Sequence, residues 1–373
     1  MTSTSLPIHP IRNSSLLMMI LLLLAISATA FGQPATGTIT KLNIKSAVLG
    51  EDRVILVRTP PGYERNKLSY PVLYMTDGDS HIRHTSSTIE FLTENGRMSD
   101  LIVVGITNTD RTRDLTPIKA TAKNPAGNLQ YPTSGGADNF LKFIETELMP
   151  QIEKQYRVQP YRIFAGHSLG GLLAIHSMIT KPGLFHSYIA VSPSLQWENR
   201  EEMKRVEAFL KNQKEMKTTL FVSIGNEQGG ISQTFDSLKE LLSKTDIKGF
   251  AWQAERMSDE DHGSVVLRSH YFGLRKIYEG WQPVVDLKSG AVISGLPGAE
   301  AHYKKLSEKF GYSIAVPEDL INQMGYQYLF DGKVDEAIAV FKANVERYPN
   351  SANVYDSLGE AYERQGRLDL AVP

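Results

Sequence analysis

From Thr38 to about Val285, short runs rich in β-branched and aromatic residues alternate with longer stretches whose apolar residues recur every three or four positions. Runs of the first kind read as strands and stretches of the second as helices with one buried face. The predicted strands are Val54–Thr59, Pro71–Met75, Leu101–Thr107, Tyr161–Ala165, Tyr188–Ser192, Leu220–Ile224 and Gly249–Ala254. Between them, Asp138–Gln155 carries Phe140, Phe143, Ile144, Leu148 and Ile152 on one helical face, with Asp138 as its candidate cap. Further helices are predicted over Leu169–Thr180, Glu201–Asn212, Phe235–Ser243 and Val265–Glu279. Strands alternating with helices predict an α/β domain with a mostly parallel central sheet flanked by helices, here residues 38–285. The polar stretch from Asn108 to Ala137 is long for a loop in a compact domain, so it reads as a functional segment or lid.

After Trp281 the texture changes. Residues 286–317 read as a linker, SGAVISGLPG, followed by a helix from Ala299 to Phe310. Residues 318–373 show self-similarity at an offset of 34, which aligns Gly325 with Gly359, Tyr328 with Tyr362, Gly332 with Gly366 and Ala337 with Ala371. That is the period of tetratricopeptide repeats (TPR), helix pairs with small residues where the two helices approach closely. The pattern predicts an all-α, TPR-like segment whose second repeat stops at Pro373. A stable solenoid usually needs about three repeats, so these helices are expected to pack on the α/β domain, on a protein partner or on a second copy.

The first thirty residues read as an export signal. Arg12 precedes an eleven-residue apolar run, Leu16 to Ile26, and Ala28-Thr29-Ala30 supplies a small-x-small cleavage pattern. A secretory core takes about 7–15 apolar residues, whereas a spanning helix takes about 20. Removing residues 1–30 leaves 39 basic against 41 acidic side chains, and a charge near zero argues against nucleic-acid binding. With no cysteine in the chain, disulfides, thiolate metal sites and cysteine nucleophiles are excluded. The expected location is therefore a bacterial periplasm or exterior, with no stable membrane span after cleavage. Any catalysis must use oxygen or nitrogen groups or a non-thiolate metal.

The chemistry concentrates around Gly166-His167-Ser168-Leu169-Gly170, which follows a predicted strand and opens a predicted helix. A G-x-S-x-G turn in that context is a nucleophile elbow. Its glycines admit a sharp turn that exposes the serine Oγ at the helix N-terminus. Ser168 is thus the candidate nucleophile. The base should lie near the end of the domain, and His262 sits between the last predicted strand and the last predicted helix. His167, adjacent to Ser168, is expected to turn away from it, and His81 and His84 have an H-x-x-H spacing without a third metal ligand in view. Glu227, just after Leu220–Ile224, is the candidate acid, with Glu260 and Asp261 as alternatives. A tetrahedral intermediate needs two amide donors, for which Leu169 N–H and Asp79 N–H are the candidates, Gly78 permitting the turn.

At these residues the chain resembles the esterase branch of the α/β-hydrolase superfamily. That branch includes siderophore esterases, esterase D (S-formylglutathione hydrolase), feruloyl esterases and mycolyltransferases. The resemblance runs from about Thr38 to Trp281 through VLYMTDGD (72–79), RTRDLTP (111–117), FAGHSLGG (164–171), SPSLQW (192–197), SIGNE (223–227) and EDHGSV (260–265). The siderophore esterases are nearest in texture. The resemblance implies an α/β-hydrolase fold, Ser168 as nucleophile, His262 as base, Glu227 as acid, Leu169 and Asp79 as oxyanion donors, and no cofactor or metal.

The expected function is that of an exported serine carboxylic-ester hydrolase acting through an acyl-enzyme on siderophore-like or other small-molecule acyl esters. An acyltransferase using the same residues is one alternative, and an inactive hydrolase-fold scaffold that recruits partners through its helical tail is the other. Trp197 and Tyr131 are candidate pocket residues for an aromatic acid, or else packing residues. Arg111 and Arg113 are candidate contacts for an anionic substrate, or else ion-pair partners of Asp110 and Asp114.

Overall fold

The computed structural model describes residues 37–285 and 292–371. Its centre is an eight-stranded sheet of β1 (Thr38–Ser46), β2 (Glu51–Thr59), β3 (Tyr70–Met75), β4 (Ile102–Ile106), β5 (Val158–His167), β6 (Ser187–Val191), β7 (Glu215–Ile224) and β8 (Lys248–Arg256). The spatial order is β1-β2-β4-β3-β5-β6-β7-β8. Strands β1 and β2 pair antiparallel, β2 joins β4 antiparallel, and every other pairing is parallel.

The helices are α1 (Gly78–Glu94), α2 (Arg111–Leu115), α3 (Ala137–Phe143), α4 (Met149–Gln155), α5 (Leu169–Thr180), α6 (Trp197–Asn212), α7 (Gly229–Ser243), α8 (Val265–Ile277), α9 (Gly295–Phe310), α10 (Glu318–Phe330), α11 (Val334–Arg347), α12 (Ala352–Arg364) and α13 (Leu368–Ala371). A π turn at Ile144–Leu148 joins α3 to α4, so the helix predicted over Asp138–Gln155 is one rod with a bulge. Its cap is not Asp138. The N-cap is Gly136, and Asp138 instead accepts a hydrogen bond from His176 at 2.8 Å.

Strands β3 to β7 are buried on both faces, and alternate residues feed two cores. Val72, Tyr74, Phe164, Tyr188 and Leu220 pack on the side that receives α3, α5, α6 and α7. Leu73, Met75, Ile163, Ile189 and Phe221 pack on the side that receives α1, α8, α9 and α10.

The segment read as a linker therefore contains a core helix. Ala299, Tyr303, Leu306 and Phe310 of α9 are buried, and the Phe310 ring lies 4.8 Å from Tyr161 and 4.9 Å from Tyr278. Helices α10 to α13 follow, each packed against the next, and a Cβ on Gly325 would fall 2.3 Å from the Phe341 ring, so α10 and α11 meet at a glycine. The export-signal reading concerns residues outside those described, as does part of the linker. Among the described residues no helix is long and apolar enough to cross a membrane.

Candidate active site

Strand β3 lies between β4 and β5, so chain connections leave in opposite directions from this point, where open α/β sheets place their ligands. Three non-glycine residues with positive φ mark the C-terminal ends of neighbouring strands: Asp77 after β3 (φ 54°), Ser168 after β5 (φ 59°) and Ser192 after β6 (φ 40°). Backbone strain of this kind costs about 1–3 kcal/mol per residue and persists only where its surroundings enforce it.

At Ser168 the surroundings are backbone. Its N–H donates to Val191 O at 2.9 Å, and its carbonyl accepts from Leu172 and Ser194. A Cβ on Gly166 would lie 2.2 Å from Gly170 O, and one on Gly170 would lie 2.2 Å from Thr76 Oγ1, so both glycines are required for close approach. Leu169 is the first residue of α5 and its N–H has no partner inside the helix. Asp79 is the second residue of α1, and its N–H likewise has no partner inside its helix. The turn before α1 differs from the expectation that Gly78 permits it: the left-handed residue is Asp77. Gly78 is needed instead because its Cβ would fall 2.4 Å from the backbone of Gly105 on β4.

Glu227 follows β7 and His262 follows β8. The two loops are tied by Asn226 N–H donating to Glu260 O at 2.6 Å. This brings Glu227 Oε2 within 2.9 Å of His262 Nδ1, while Glu227 Oε1 accepts from Ser192 Oγ at 2.5 Å and from Gly225 N–H. Burial would raise the Glu227 pKa, but the hydrogen bonds from His262 and Ser192 outweigh it and hold the carboxyl below its ordinary value. The alternative acids are engaged elsewhere. Asp261 accepts from the N–H groups of Gly263 and Ser264, and Glu260 pairs with Arg268 and Ser264.

Among the described residues no hydrogen bond joins Ser168 to His262; Ser168 Oγ contacts Ser194 Oγ at 3.2 Å. Catalytic hydrogen bonds are often long or misaligned in the absence of substrate. The His167 ring lies against the candidate base, its centroid 4.5 Å from that of His262. It continues a run of imidazoles through His81, His84 and His270, with neighbouring centroids 5.2–6.3 Å apart. Burial lowers the pKa values of these rings, to about 4 at His84 and His167, so they are neutral at pH 7. Among the described residues no three His, Asp or Glu side chains are arranged to hold a metal ion.

The predicted substrate contacts separate. Arg113 is committed to structure: Nε donates to Asp114 at 2.8 Å and both terminal nitrogens donate to Glu51. Asp110 is not its ion partner and instead caps the Arg113 N–H. Arg111 also turns inward, onto Asp77 and His167 O. Trp197 spends its indole N–H on Ile118 O at 2.9 Å and packs against Tyr131 with ring centroids 5.2 Å apart and planes tilted by 50°, pinning the 118–131 loop. Its own N–H donates to Ser194 O, which sets this aromatic pair next to the residue that contacts Ser168 Oγ. Ser192 and Ser194 escape a reading by sequence. Both lie in the SPSLQW landmark, but short hydroxyls give no periodic signal and their partners are 35 and 26 residues away.

The model of the Esterase family ("Putative esterase") matches residues 46–265 of this chain. The ferri-bacillibactin esterase BesA of Bacillus subtilis is 31% identical over 217 residues, which cover 53% of this chain and 75% of that protein. A siderophore enterobactin esterase of Emericella nidulans is 30% identical over 237 residues, covering 52% and 77%. The crystal structure of an IroE-like serine hydrolase from Shewanella oneidensis superposes with a TM-score of 0.69 at 27% identity, covering 83% of this chain and 100% of that one. With the family model spanning more than half of its length, the chain belongs to the esterase family of the α/β-hydrolase superfamily and is a carboxylic ester hydrolase.

Proposed function

We propose that this chain is an exported serine esterase that opens siderophore-type esters through an acyl-enzyme on Ser168. The observation that carries the reading is the Glu227–His262 contact of 2.9 Å beside a serine held at φ 59° at the mouth of α5. Rotation of Ser168 about χ1 moves Oγ from Ser194 toward His262 Nε2, which accepts its proton as Oγ attacks the ester carbonyl. Glu227 accepts from Nδ1–H and stabilises the imidazolium without taking the proton. The N–H groups of Leu169 and Asp79 receive the oxyanion. His262 then protonates the departing alcohol, and a water activated by the same nitrogen releases the acid.

The substrate class is supported by similarity to a ferri-bacillibactin esterase and a siderophore enterobactin esterase, and by the Tyr131–Trp197 pair one turn from Ser194. Export is supported by the apolar run before Ala28-Thr29-Ala30. The glycine contact between α10 and α11 supports the TPR-like reading of residues 318–373. The test is to treat the protein with a fluorophosphonate, map the adduct by peptide mass spectrometry, and follow hydrolysis of p-nitrophenyl butyrate and of a ferric tris-catecholate triester. An adduct on Ser168, with cleavage of both esters, is expected. An adduct on another residue overturns the mechanism, and turnover of the simple ester alone overturns the substrate class.

A further inference from the structure

The two proposed oxyanion donors come from different strands, Asp79 from the turn after β3 and Leu169 from the turn after β5. The ladder between β3 and β5 ends where Thr76 N–H donates to Ala165 O at 3.1 Å, so beyond that point the spacing of the two turns rests on side chains. Arg111, at the start of α2, reaches both turns. Its Nε donates to Asp77 Oδ1 at 2.6 Å, and Nη2 donates to Asp77 Oδ2 at 3.1 Å and to the carbonyl of His167 at 3.0 Å. Asp77 is the left-handed residue immediately before α1, and His167 immediately precedes the strained Ser168. Asn108 Nδ2 adds a third donor to Asp77 at 2.6 Å. Thr76 Oγ1, 3.3 Å from Asp77 Oδ2, closes the gap against Gly170. One guanidinium is thus bonded to both strained turns, and a planar fork holds two acceptors at a fixed separation as a lysine ammonium does not.

We infer that Arg111 is a positioning residue that sets the spacing of the two oxyanion N–H groups, rather than a contact for an anionic substrate. The inference rests on the serine-esterase reading of Ser168. It explains why a side chain one-third exposed at the site is bound to protein on two of its three nitrogens. Misplacing one donor relative to the other weakens stabilisation of the tetrahedral state while leaving ground-state binding intact.

The experiment compares Arg111→Met, Arg111→Lys and Arg111→Ala with the wild type on a neutral ester, p-nitrophenyl butyrate, and an anionic one, p-nitrophenyl hemisuccinate. The expected result for Arg111→Met is a fall in kcat of about 10- to 100-fold on both esters, with KM changed by less than about threefold. Affinity for a neutral trifluoromethyl ketone, which adds to the serine as a tetrahedral hemiketal, should fall by the same factor as kcat/KM. Arg111→Lys should keep the charge but recover little of the loss. Millimolar guanidinium should restore kcat to Arg111→Ala, which a merely destabilised fold would not show. Should Arg111→Met not fold, Arg111→Lys and the guanidinium rescue carry the same comparison. An effect confined to KM for the anionic ester would make Arg111 a substrate contact and overturn the inference. So would full kcat in a folded variant whose wild type is labelled at Ser168. A wild-type adduct mapping away from Ser168 would overturn the esterase mechanism itself.

Discussion

At the end of β5, Ser168 is held chiefly by main chain, with Val191 O on its N–H, Ser194 N–H on its carbonyl and close-packed glycines before and after it, and Arg111 bonds to the carbonyl just ahead of it. At the end of β8, His262 is fixed by one side-chain contact to Glu227, which is held in turn by Ser192, and the imidazole is 45% exposed. The nucleophile side is therefore rigid by construction, whereas the base side is adjustable through one carboxylate. In the proposed mechanism this difference would let His262 accept a proton at one step and return it at another without disturbing the serine. It also means that substitutions on the two sides should fail differently.

The largest effect is expected from Ser168→Ala, which should reduce kcat by about 10⁴–10⁶-fold and abolish fluorophosphonate labelling with the melting temperature nearly unchanged. Residual labelling at another serine would break the comparison at its rigid end. Glu227→Gln acts on the adjustable end and should lower kcat by about 10²–10⁴-fold, since the amide cannot stabilise the imidazolium that forms. Steady-state rates unchanged in Glu227→Gln but lost in His262→Ala would reduce the triad to a Ser–His pair. Asp79→Pro removes a single N–H at a helix position where proline is tolerated. It should cost about 10²–10³-fold in kcat with α1 intact by circular dichroism, and an unchanged rate would remove Asp79 from the oxyanion pair.

The smallest effect concerns stability and is read in the melting temperature against pH. His84 and His167 are neutral because burial lowers their pKa values to about 4. Between pH about 6.5 and 4 the unfolded chain then binds more protons than the folded one, and stability falls as the medium is acidified. Roughly 1–3 kcal/mol should be lost across that window. His176 contributes the opposite sign. Burial works against its charge, but the carboxylates of Glu202 and Asp138 prevail and raise its pKa, so its contribution is complete below pH about 6.5 and fades as pH rises through the raised value. Substituting His167 by Gln should flatten the acid limb, and a limb of unchanged slope would assign it to other groups.

The elements that the sequence makes legible are those whose burial is periodic. Seven strands and the helix after Ser168 have continuous or regularly spaced apolar residues, and they lie within a few residues of their expected bounds. Strand β1 was not expected, because it is an edge ribbon exposed at most of its positions. Helix α1 was hidden for a different reason: Thr85 and Ser86 lie buried in its core face between Ile82 and Ile89, and their hydroxyls bond back to carbonyls one turn earlier. In the site, the elbow and the loop positions of Glu227 and His262 follow from strand order. Arg111, by contrast, reads as a substrate contact or a partner of nearby Asp110 or Asp114 until the fold brings Asp77, 34 residues away in the chain, against it.

The Phe310 side chain has a practical bearing on anyone dissecting this protein. Its ring packs against Tyr161 of β5 and Tyr278 at the end of α8, and Ala299, Leu306 and Ile321 extend the same apolar surface. An expression boundary drawn at the end of the family match, or at the glycine-rich stretch after Val285, would leave that aromatic surface facing water. For recombinant work, α9 and the start of α10 belong to the same packed core as the sheet, and fusion tags or cleavage sites belong beyond them.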